Sequence, residues 1–182
     1  THGFFWNEEQ VHEYQDLAFM QQSLIEMMGE QSTVGQEDRS LTRTGLLFAG
    51  ANNTLQGDDI PASMDDGILT AQEISRLDLR TVDLVVLSAC ETATGEINSE
   101  GVFGLQRGFK KAGANSIMMS LWKVDDDATC LLMTEFYNNW ISKKMTKQKA
   151  LKEAKQTVRS HKEKGWDDPK YWAAFILLDA ID

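Results

Sequence analysis

The stretch Asp83-Leu-Val-Val-Leu-Ser-Ala-Cys-Glu-Thr92 decides the fold of this chain. Its continuous apolar run, Asp83–Ser88, predicts a strand buried on both faces, as in a parallel sheet. The run stops at Cys90, and a polar loop, Glu91–Gly95, follows. Ligands of open α/β sheets bind at the carboxyl ends of the strands. Cys90 is therefore placed where chemistry is expected.

Helices and strands alternate in the remainder of the chain. Helical spacing of apolar residues predicts a helix over Gly101–Ala112, which Gly113 ends. The later predicted elements are a strand at Ser116–Trp122, a helix starting near Asp125–Asp127, a helix at Lys147–Arg159 and a strand at Tyr171–Leu178. This order favours an α/β fold with a mainly parallel sheet.

One of these helices has a predicted apolar stripe. The stripe consists of Cys130, Met133, Tyr137, Trp140 and Ile141. Cys130 is therefore expected to be a small core residue.

The first eighty or so residues are less regular. Glu8–Met28 has helical character, and the polar segment Gly29–Thr44 is interpreted as a mobile loop. Short strands are predicted at Gly45–Gly50 and Gly67–Leu69, on either side of a connector rich in glycine, asparagine and aspartate. Thr70-Ala-Gln-Glu73 matches a capping box, which predicts the start of a helix.

Size and composition exclude several classes of protein. A chain of 182 residues is long enough for one sizeable core, and one domain over 1–182 is the expectation. The net charge of −10 argues against direct nucleic-acid binding. No apolar run reaches the roughly 18 residues of a membrane span. The sequence shows no signal peptide, and it starts with threonine, too late to include a strand before His2. It is therefore interpreted as the carboxyl-terminal portion of a larger protein.

The two cysteines, Cys90 and Cys130, make a disulfide framework improbable and indicate a reducing compartment such as the cytoplasm. Neither zinc-ligand spacing nor a phosphate-binding loop is present, and no metal or cofactor is expected.

A thiol and an imidazole form the candidate catalytic pair. A cysteine becomes nucleophilic when a neighbouring base raises its thiolate fraction, and His2 could supply that base. A strand ending just before His2 would bring it to the sheet edge that carries Cys90. By position alone two alternatives stay open: Cys90 as an inert core residue and His2 as part of a frayed terminus.

Several separated motifs, in order, resemble the CHAT family of caspase-like proteases. They are Thr1-His2-Gly3, the stretch Asp83–Thr92, Glu100-Gly-Val-Phe-Gly-Leu105 and Ser120-Leu-Trp-Lys-Val-Asp-Asp-Asp-Ala-Thr129. Leu46–Leu55, Asp66–Ala71 and Tyr171–Phe175 extend the likeness. The divergent stretch is near Asn7–Arg39. The resemblance implies a caspase-like α/β/α sandwich, here without its first strand or strands and without any upstream sensing region.

The same resemblance implies roles for individual residues. Cys90 is the nucleophile and His2 the general base or acid, in a dyad without a required third carboxylate. The backbone N–H groups of Gly3 and Cys90 form the oxyanion hole, which stabilises negative charge on the attacked carbonyl oxygen. From the residues alone, a simple turn glycine is the favoured interpretation of Gly3.

Substrate binding is expected at two further places. Ser88 matches a position that lines the first specificity pocket, and Ser120, Leu121 and Trp122 match a strand along which a peptide substrate adds. The segment Leu121–Asp126 also resembles one in separases, which cleave after arginine. Asp126 is then a specificity acid for arginine or lysine in a desolvated pocket. The alternative is that Asp125–Asp127 only caps a helix.

The leading hypothesis is a regulated cysteine endopeptidase that cleaves a protein partner after a basic residue. It needs no membrane and binds no nucleic acid directly, and regulatory domains or partner proteins control it. The alternative is a caspase-like interaction or scaffold module without turnover. A small-molecule α/β hydrolase is a weaker alternative because the Gly-x-Ser-x-Gly elbow is absent.

Overall fold

A computed structural model of the chain describes residues 2–5, 41, 43–58, 60–61, 63–87 and 99–178. These residues belong to two compact units. The first unit comprises 1–79 and 92–113, and the second comprises 80–91 and 114–182.

The first unit contains a three-stranded antiparallel sheet with the order β1-β2-β3. Its elements are β1 (His2–Phe5), β2 (Thr44–Leu47), α1 (Ala51–Leu55), β3 (Ile68–Thr70), α2 (Ala71–Ile74) and α3 (Ser99–Lys111). Two of the predicted short strands are confirmed as β2 and β3. The connector between them begins with the short helix α1, which the sequence reading did not predict.

The predicted capping box at the start of α2 is confirmed. The backbone N–H of Thr70 donates to Glu73 Oε2 at 2.8 Å, and the backbone N–H of Glu73 donates to Thr70 Oγ1 at 3.2 Å. Behind this cap, Ala71 and Ile74 are fully buried. The cap therefore satisfies exposed backbone groups while the helix packs inward.

A glycine on α3 lets that helix approach α2 closely. A Cβ atom built on Gly108 would lie 2.6 Å from the carbonyl oxygen of Ala71. No other residue type fits there without displacement of the backbone. The predicted end of this helix is confirmed as well: α3 stops at Lys111, and Gly113 adopts a φ of 97°.

The second unit contains a three-stranded sheet with the order β4-β5-β6. Its elements are β4 (Leu84–Leu87), β5 (Ser116–Ser120), α4 (Asp126–Tyr137), a π-helical turn (Asn138–Ser142), α5 (Lys147–Ser160), a 3-10 turn (Lys162–Lys164), α6 (Pro169–Trp172) and β6 (Phe175–Leu178). β4 pairs with β5 in parallel, and β6 pairs with β5 antiparallel.

The core of this unit lies between the central strand and two helices. All five residues of β5 are buried. Helix α4 contributes Leu132 and Phe136, and α5 contributes Ala154 and Val158, all four fully buried. The predicted inward face of α5, with Leu151, Ala154 and Val158, is confirmed.

The predicted α/β class is confirmed, but a mainly parallel sheet is not. Among the described strands only β4 and β5 pair in parallel. The alternation of helices and strands is compatible with both directions of pairing. β6 follows α5 by way of the 3-10 turn and the short helix α6, and it pairs antiparallel with β5.

Two predicted strands are shorter than expected. The strand predicted at Ser116–Trp122 ends at Ser120, so Leu121 and Trp122 lie beyond it. The strand predicted at Tyr171–Leu178 begins only at Phe175. Pro169 at the first turn and the side chain of Asp168, which accepts from the N–H of Lys170, start α6 instead.

The predicted stripe on α4 is wrong at Cys130, Tyr137 and Ile141, whereas Met133 and Trp140 do pack against the core. The buried face is Ala128, Leu132 and Phe136, spaced four residues apart. Cys130 is exposed, so it is not a core residue. Tyr137 is 38% exposed and Ile141 is 54% exposed. The apolar residues of α4 occupy more than one face of the helix. Helical periodicity alone therefore does not show which of these faces is buried.

At the beginning of the chain the structure contains a strand that the sequence did not predict. His2 is the first residue of β1 and lies opposite Leu47. The predicted helix Glu8–Met28 and most of the segment Gly29–Thr44 lie outside the described residues, while Thr44 belongs to β2. Within the described part of the chain, every helix is too short or too polar to cross a bilayer.

Candidate functional site

The strand that leads to the candidate nucleophile runs beside the central strand of the second unit. β4 pairs with β5 through Leu84 opposite Ser116 to Leu87 opposite Met119. Ser88 and Cys90 follow directly but lie outside the described residues. Their roles as pocket residue and nucleophile stay predictions.

An ion pair holds the start of this strand. Lys147 Nζ, at the beginning of α5, lies 2.8 Å from Asp83 Oδ1. The hydrogen bond from Lys147 lowers the pKa of Asp83 from its ordinary value of 3.8. Lys147 Nζ also lies 5.4 Å from the ring centre of Trp140. The entrance to β4 is therefore tied to two later elements of the same unit.

One side of the predicted peptide-binding segment is already occupied. Ser120 pairs with Phe175 of β6, and the N–H of Leu121 donates to the carbonyl oxygen of Ala174 at 3.0 Å. A substrate strand cannot add on that side of Ser120 and Leu121. On the other side β5 pairs with β4 as far as Met119, so a substrate strand can add there only beyond that residue.

The indole of Trp122 is anchored rather than open. Its Nε1 donates to the carbonyl oxygen of Lys170 at 3.1 Å, and the ring packs against the core of the second unit. The contact fixes the loop after β5 on α6. The structure therefore gives Trp122 a packing role, and its contact with a substrate stays a prediction.

The three consecutive acids at the start of α4 have different environments. Asp125 is the N-cap, and its Oδ1 accepts from the N–H of Ala128 at 2.9 Å. Asp126 and Asp127 lie in the first turn and are exposed. The capping alternative is therefore confirmed for Asp125. The described residues place no desolvated pocket around Asp126, because its side chain faces solvent.

The other half of the predicted dyad lies in the first unit. His2 and Gly3 belong to β1, where Gly3 is buried opposite Leu46. The side chain of His2 is not among the described ones. Because Cys90 lies outside the described residues, the dyad of His2 and Cys90 and the oxyanion hole at Gly3 and Cys90 stay predictions.

The sequence analysis missed a group of basic residues on α5. Lys152, Lys155 and Arg159 line a groove together with Trp172. Their spacing of three and four residues places them on one helical face, which was a usable signal. Among the described residues, no cluster of histidine, cysteine, aspartate and glutamate could hold a metal ion.

The chain belongs to the CHAT domain family, whose model matches residues 1–180. This family is related to caspase-like proteases. The membership agrees with the motifs at Thr1–Gly3 and Asp83–Thr92. The family match therefore assigns the chain to the class of CHAT-domain proteins.

Two curated relatives share part of the chain. Tetratricopeptide repeat protein 28 of Mus musculus is 35% identical over 112 residues, which is 61% of this chain and 4% of that protein. Tetratricopeptide repeat protein 28 of Homo sapiens is 33% identical over 111 residues, again 61% of this chain and 4% of that protein. The chain thus matches a small part of much longer proteins. No solved structure matches it.

Proposed function

We propose that this chain is a cysteine endopeptidase in which Cys90 is the nucleophile and His2 the general base and acid. The observation that carries the proposal is the family match over residues 1–180, which includes both residues. A further support is the position of Cys90 three residues after Leu87, the last residue of a strand inside a sheet. Strand ends of this kind carry the ligand sites of α/β proteins.

The reaction follows from the chemistry of the two side chains. His2 takes the thiol proton of Cys90, and the thiolate attacks the substrate carbonyl carbon. The N–H groups of Gly3 and Cys90 stabilise the oxyanion. The carbon–nitrogen bond breaks as the imidazolium of His2 protonates the leaving amine. Water, activated by the neutral imidazole, then hydrolyses the thioester and restores the thiol.

The proposed substrate is a protein segment with arginine or lysine at the cleavage position. Ser88 lines the first pocket, and Ser120, Leu121 and Trp122 lie beside the bound peptide. Asp126 attracts the basic side chain. Because Asp126 is exposed, the preference it creates is small, since exposed ion pairs contribute only about 0–1 kcal/mol.

We also infer the finer architecture and the setting. Residues 1–182 are one caspase-like protease domain of α/β/α sandwich architecture, controlled by other regions or partner proteins. The parallel pair β4 and β5 supports this architecture. The two cysteines of the chain support a reducing compartment such as the cytoplasm.

A scaffold without turnover is the second candidate, and the curated relatives favour it. Both are named for tetratricopeptide repeats. Stacked repeats of this class create extended concave binding surfaces. In that case the chain contributes a folded interaction module, and Cys90 has no catalytic partner.

Labelling with an electrophilic peptidyl probe separates the two candidates. Cys130 is exposed, so a thiol reagent can reach it, and every variant therefore carries Cys130→Ser. In that background we expect labelling of Cys90 that is lost in Cys90→Ala. In His2→Ala the labelling rate falls by about 100-fold or more, because general-base assistance contributes about that much.

A specific pair of results would contradict catalysis. If His2→Ala labels Cys90 as fast as the parent, and a peptide library is not cleaved, then Cys90 is an ordinary thiol and the scaffold candidate stands. Circular dichroism of each variant checks that the fold is retained. Labelling is measured on the 182-residue chain and on the full-length protein.

A further inference from the structure

A groove of about 490 Å³ lies between α5, α6 and β6 in the second unit. Its floor contains the buried side chains of Leu151 and Phe175. Ile176 and Leu177 of β6 complete the apolar part. Three consecutive β6 residues line the groove. Because successive side chains of a strand point to opposite faces, the groove follows the edge of the strand.

All the charged residues on the polar wall of this groove are positive. Lys152, Lys155 and Arg159 line it, and none of the ten lining residues is acidic. This cluster is unusual in a chain with a net charge of −10. Among the described residues none of the three cations forms an ion pair. Three cations on one wall create a positive potential that attracts an anionic ligand.

One of the cations stacks on an aromatic ring, and a second is partly buried. The guanidinium carbon of Arg159 lies 5.4 Å from the ring centre of Trp172, and Trp172 Nε1 donates to the carbonyl oxygen of Asp167 at 3.2 Å. Burial lowers the pKa of Lys155 from its ordinary value of 10.5. A carboxylate beside Lys155 would offset that burial by pairing with the ammonium group.

One edge of β6 is unpaired among the described strands. Within the part of the chain that the structure describes, β6 pairs with β5 on one side and with no strand on the other. An extended peptide can add to such an edge through main-chain hydrogen bonds, with side chains entering adjacent pockets. Nucleic acids and anionic membranes offer no such backbone pairing.

We propose that this groove binds an acidic peptide segment of a protein partner as an added strand beside β6. Carboxylates at alternate positions of the peptide face α5, and apolar residues lie between them. The spacing agrees: alternate residues of a strand are about 7 Å apart. Four residues along a helix, as from Lys155 to Arg159, span about 6 Å. This proposal does not depend on catalysis by Cys90.

The proposal is tested with a fluorescein-labelled hexapeptide of alternating valine and glutamate. Anisotropy is measured on the 182-residue chain, alone and as Lys152→Glu/Arg159→Glu. The matched control is Lys149→Glu/Lys162→Glu, which makes the same charge change at exposed positions outside the groove. We expect saturable binding that the groove variant weakens by about tenfold or more and that the control leaves nearly unchanged.

Two changes to the peptide test the strand addition without altering the protein. N-methylation at alternate backbone nitrogens removes hydrogen-bond donors and should abolish binding. Replacing glutamate by lysine should do the same. Cys90→Ala, in contrast, should bind like the parent, so loss of catalysis and loss of binding are separable.

Four results would overturn the proposal: no saturable binding, equal weakening in the groove and control variants, full binding of the N-methylated peptide, or tighter binding of an oligonucleotide or an anionic vesicle than of the peptide. Concentration-dependent dimerisation abolished by Lys152→Glu/Arg159→Glu would assign the groove to a second copy of the chain and overturn it too.

Discussion

Lys147 Nζ and Asp83 Oδ1 lie 2.8 Å apart, so the first turn of α5 is tied to the residue that precedes β4. The two residues are separated by 64 positions in the chain. Lys147 is largely buried, with 14% of its side chain exposed, whereas Asp83 is 57% exposed. This pair connects α5 with the strand that leads to Cys90.

Asp83→Asn should destabilise the chain slightly at pH 7. The exposure of Asp83 limits the cost to about 1 kcal/mol or less. Because its pKa is lowered in the folded state, the stabilisation is present above the ordinary value of 3.8 and is lost as the pH falls through the folded pKa. Urea unfolding of the parent chain and of Asp83→Asn over a range of pH measures this difference in stability. Glu163→Gln removes the same charge elsewhere, and an equal loss in that variant would contradict a specific pair.

Gly108→Ala should destabilise the first unit. An alanine raises helix propensity by about 1 kcal/mol, but its Cβ would lie 2.6 Å from the Ala71 carbonyl oxygen. Displacing packed backbone costs about 1–3 kcal/mol or more, so the clash dominates. Thermal unfolding of Gly108→Ala and of Gln106→Ala, on the same helix, distinguishes the two effects. An increase in stability for Gly108→Ala would show that α2 and α3 are not in close contact.

Phe136→Ala should be among the most destabilising substitutions in the second unit. Its ring is fully buried, and removal of such a ring costs about 3–5 kcal/mol. Tyr137→Ala, one residue on, should cost about 1 kcal/mol because the side chain is partly exposed. Cys130→Ser should be nearly neutral. Denaturant midpoints decide this, and a larger cost for Tyr137→Ala than for Phe136→Ala would restore the apolar stripe that the sequence suggested.

Asp126→Asn should reduce cleavage after arginine only modestly. If the protein is a protease, kcat/KM for an arginine peptide should fall by about fivefold at most, because an exposed ion pair contributes about 1 kcal/mol or less. Asp127→Asn, an exposed acid in the same turn, is the control. A peptide panel with arginine, lysine or aspartate at the cleavage position gives the readout. An unchanged preference in Asp126→Asn would remove this residue from the specificity pocket.

Lys155→Met should leave stability unchanged or raise it, while acidic-peptide binding weakens. The pKa of Lys155 is lowered by burial, so at pH 7 the folded state holds a charge that it partly desolvates. This penalty is present in full below the folded pKa and is lost as the pH rises from that value to the ordinary value of 10.5. Replacement by an apolar side chain of similar size removes the penalty. Parallel unfolding and anisotropy titrations measure both effects, and a large loss of stability would show that Lys155 is structural.

Local patterns predicted the elements whose causes are local. The capping box at Thr70 and Glu73 needs only residues three apart, and it is confirmed at hydrogen-bond distance. The inward face of α5 follows from strong amphipathic spacing. The strand at Leu84–Leu87 follows from a continuous apolar run.

Local sequence patterns gave wrong predictions where a second pattern competes or where a contact with a distant residue decides the structure. On α4 the apolar residues admit more than one stripe, and the packing against α5 selects Leu132 and Phe136. At Tyr171 a predicted strand gives way to a short helix, because Asp168 and Pro169 start a turn there. In both cases the local pattern does not show which distant residues the element packs against, and those contacts decide the outcome.

The sequence by itself determined the family, the candidate residues His2 and Cys90, and the α/β class, because these depend on residue identity and order. The tertiary structure alone decided that β6 runs antiparallel to β5, that Cys90 is preceded by a strand tied to Lys147, and that three cations share a groove with Trp172. Pairing direction, burial and the neighbours of a charge depend on residues far apart in the chain. They exist only once the core has brought those residues together.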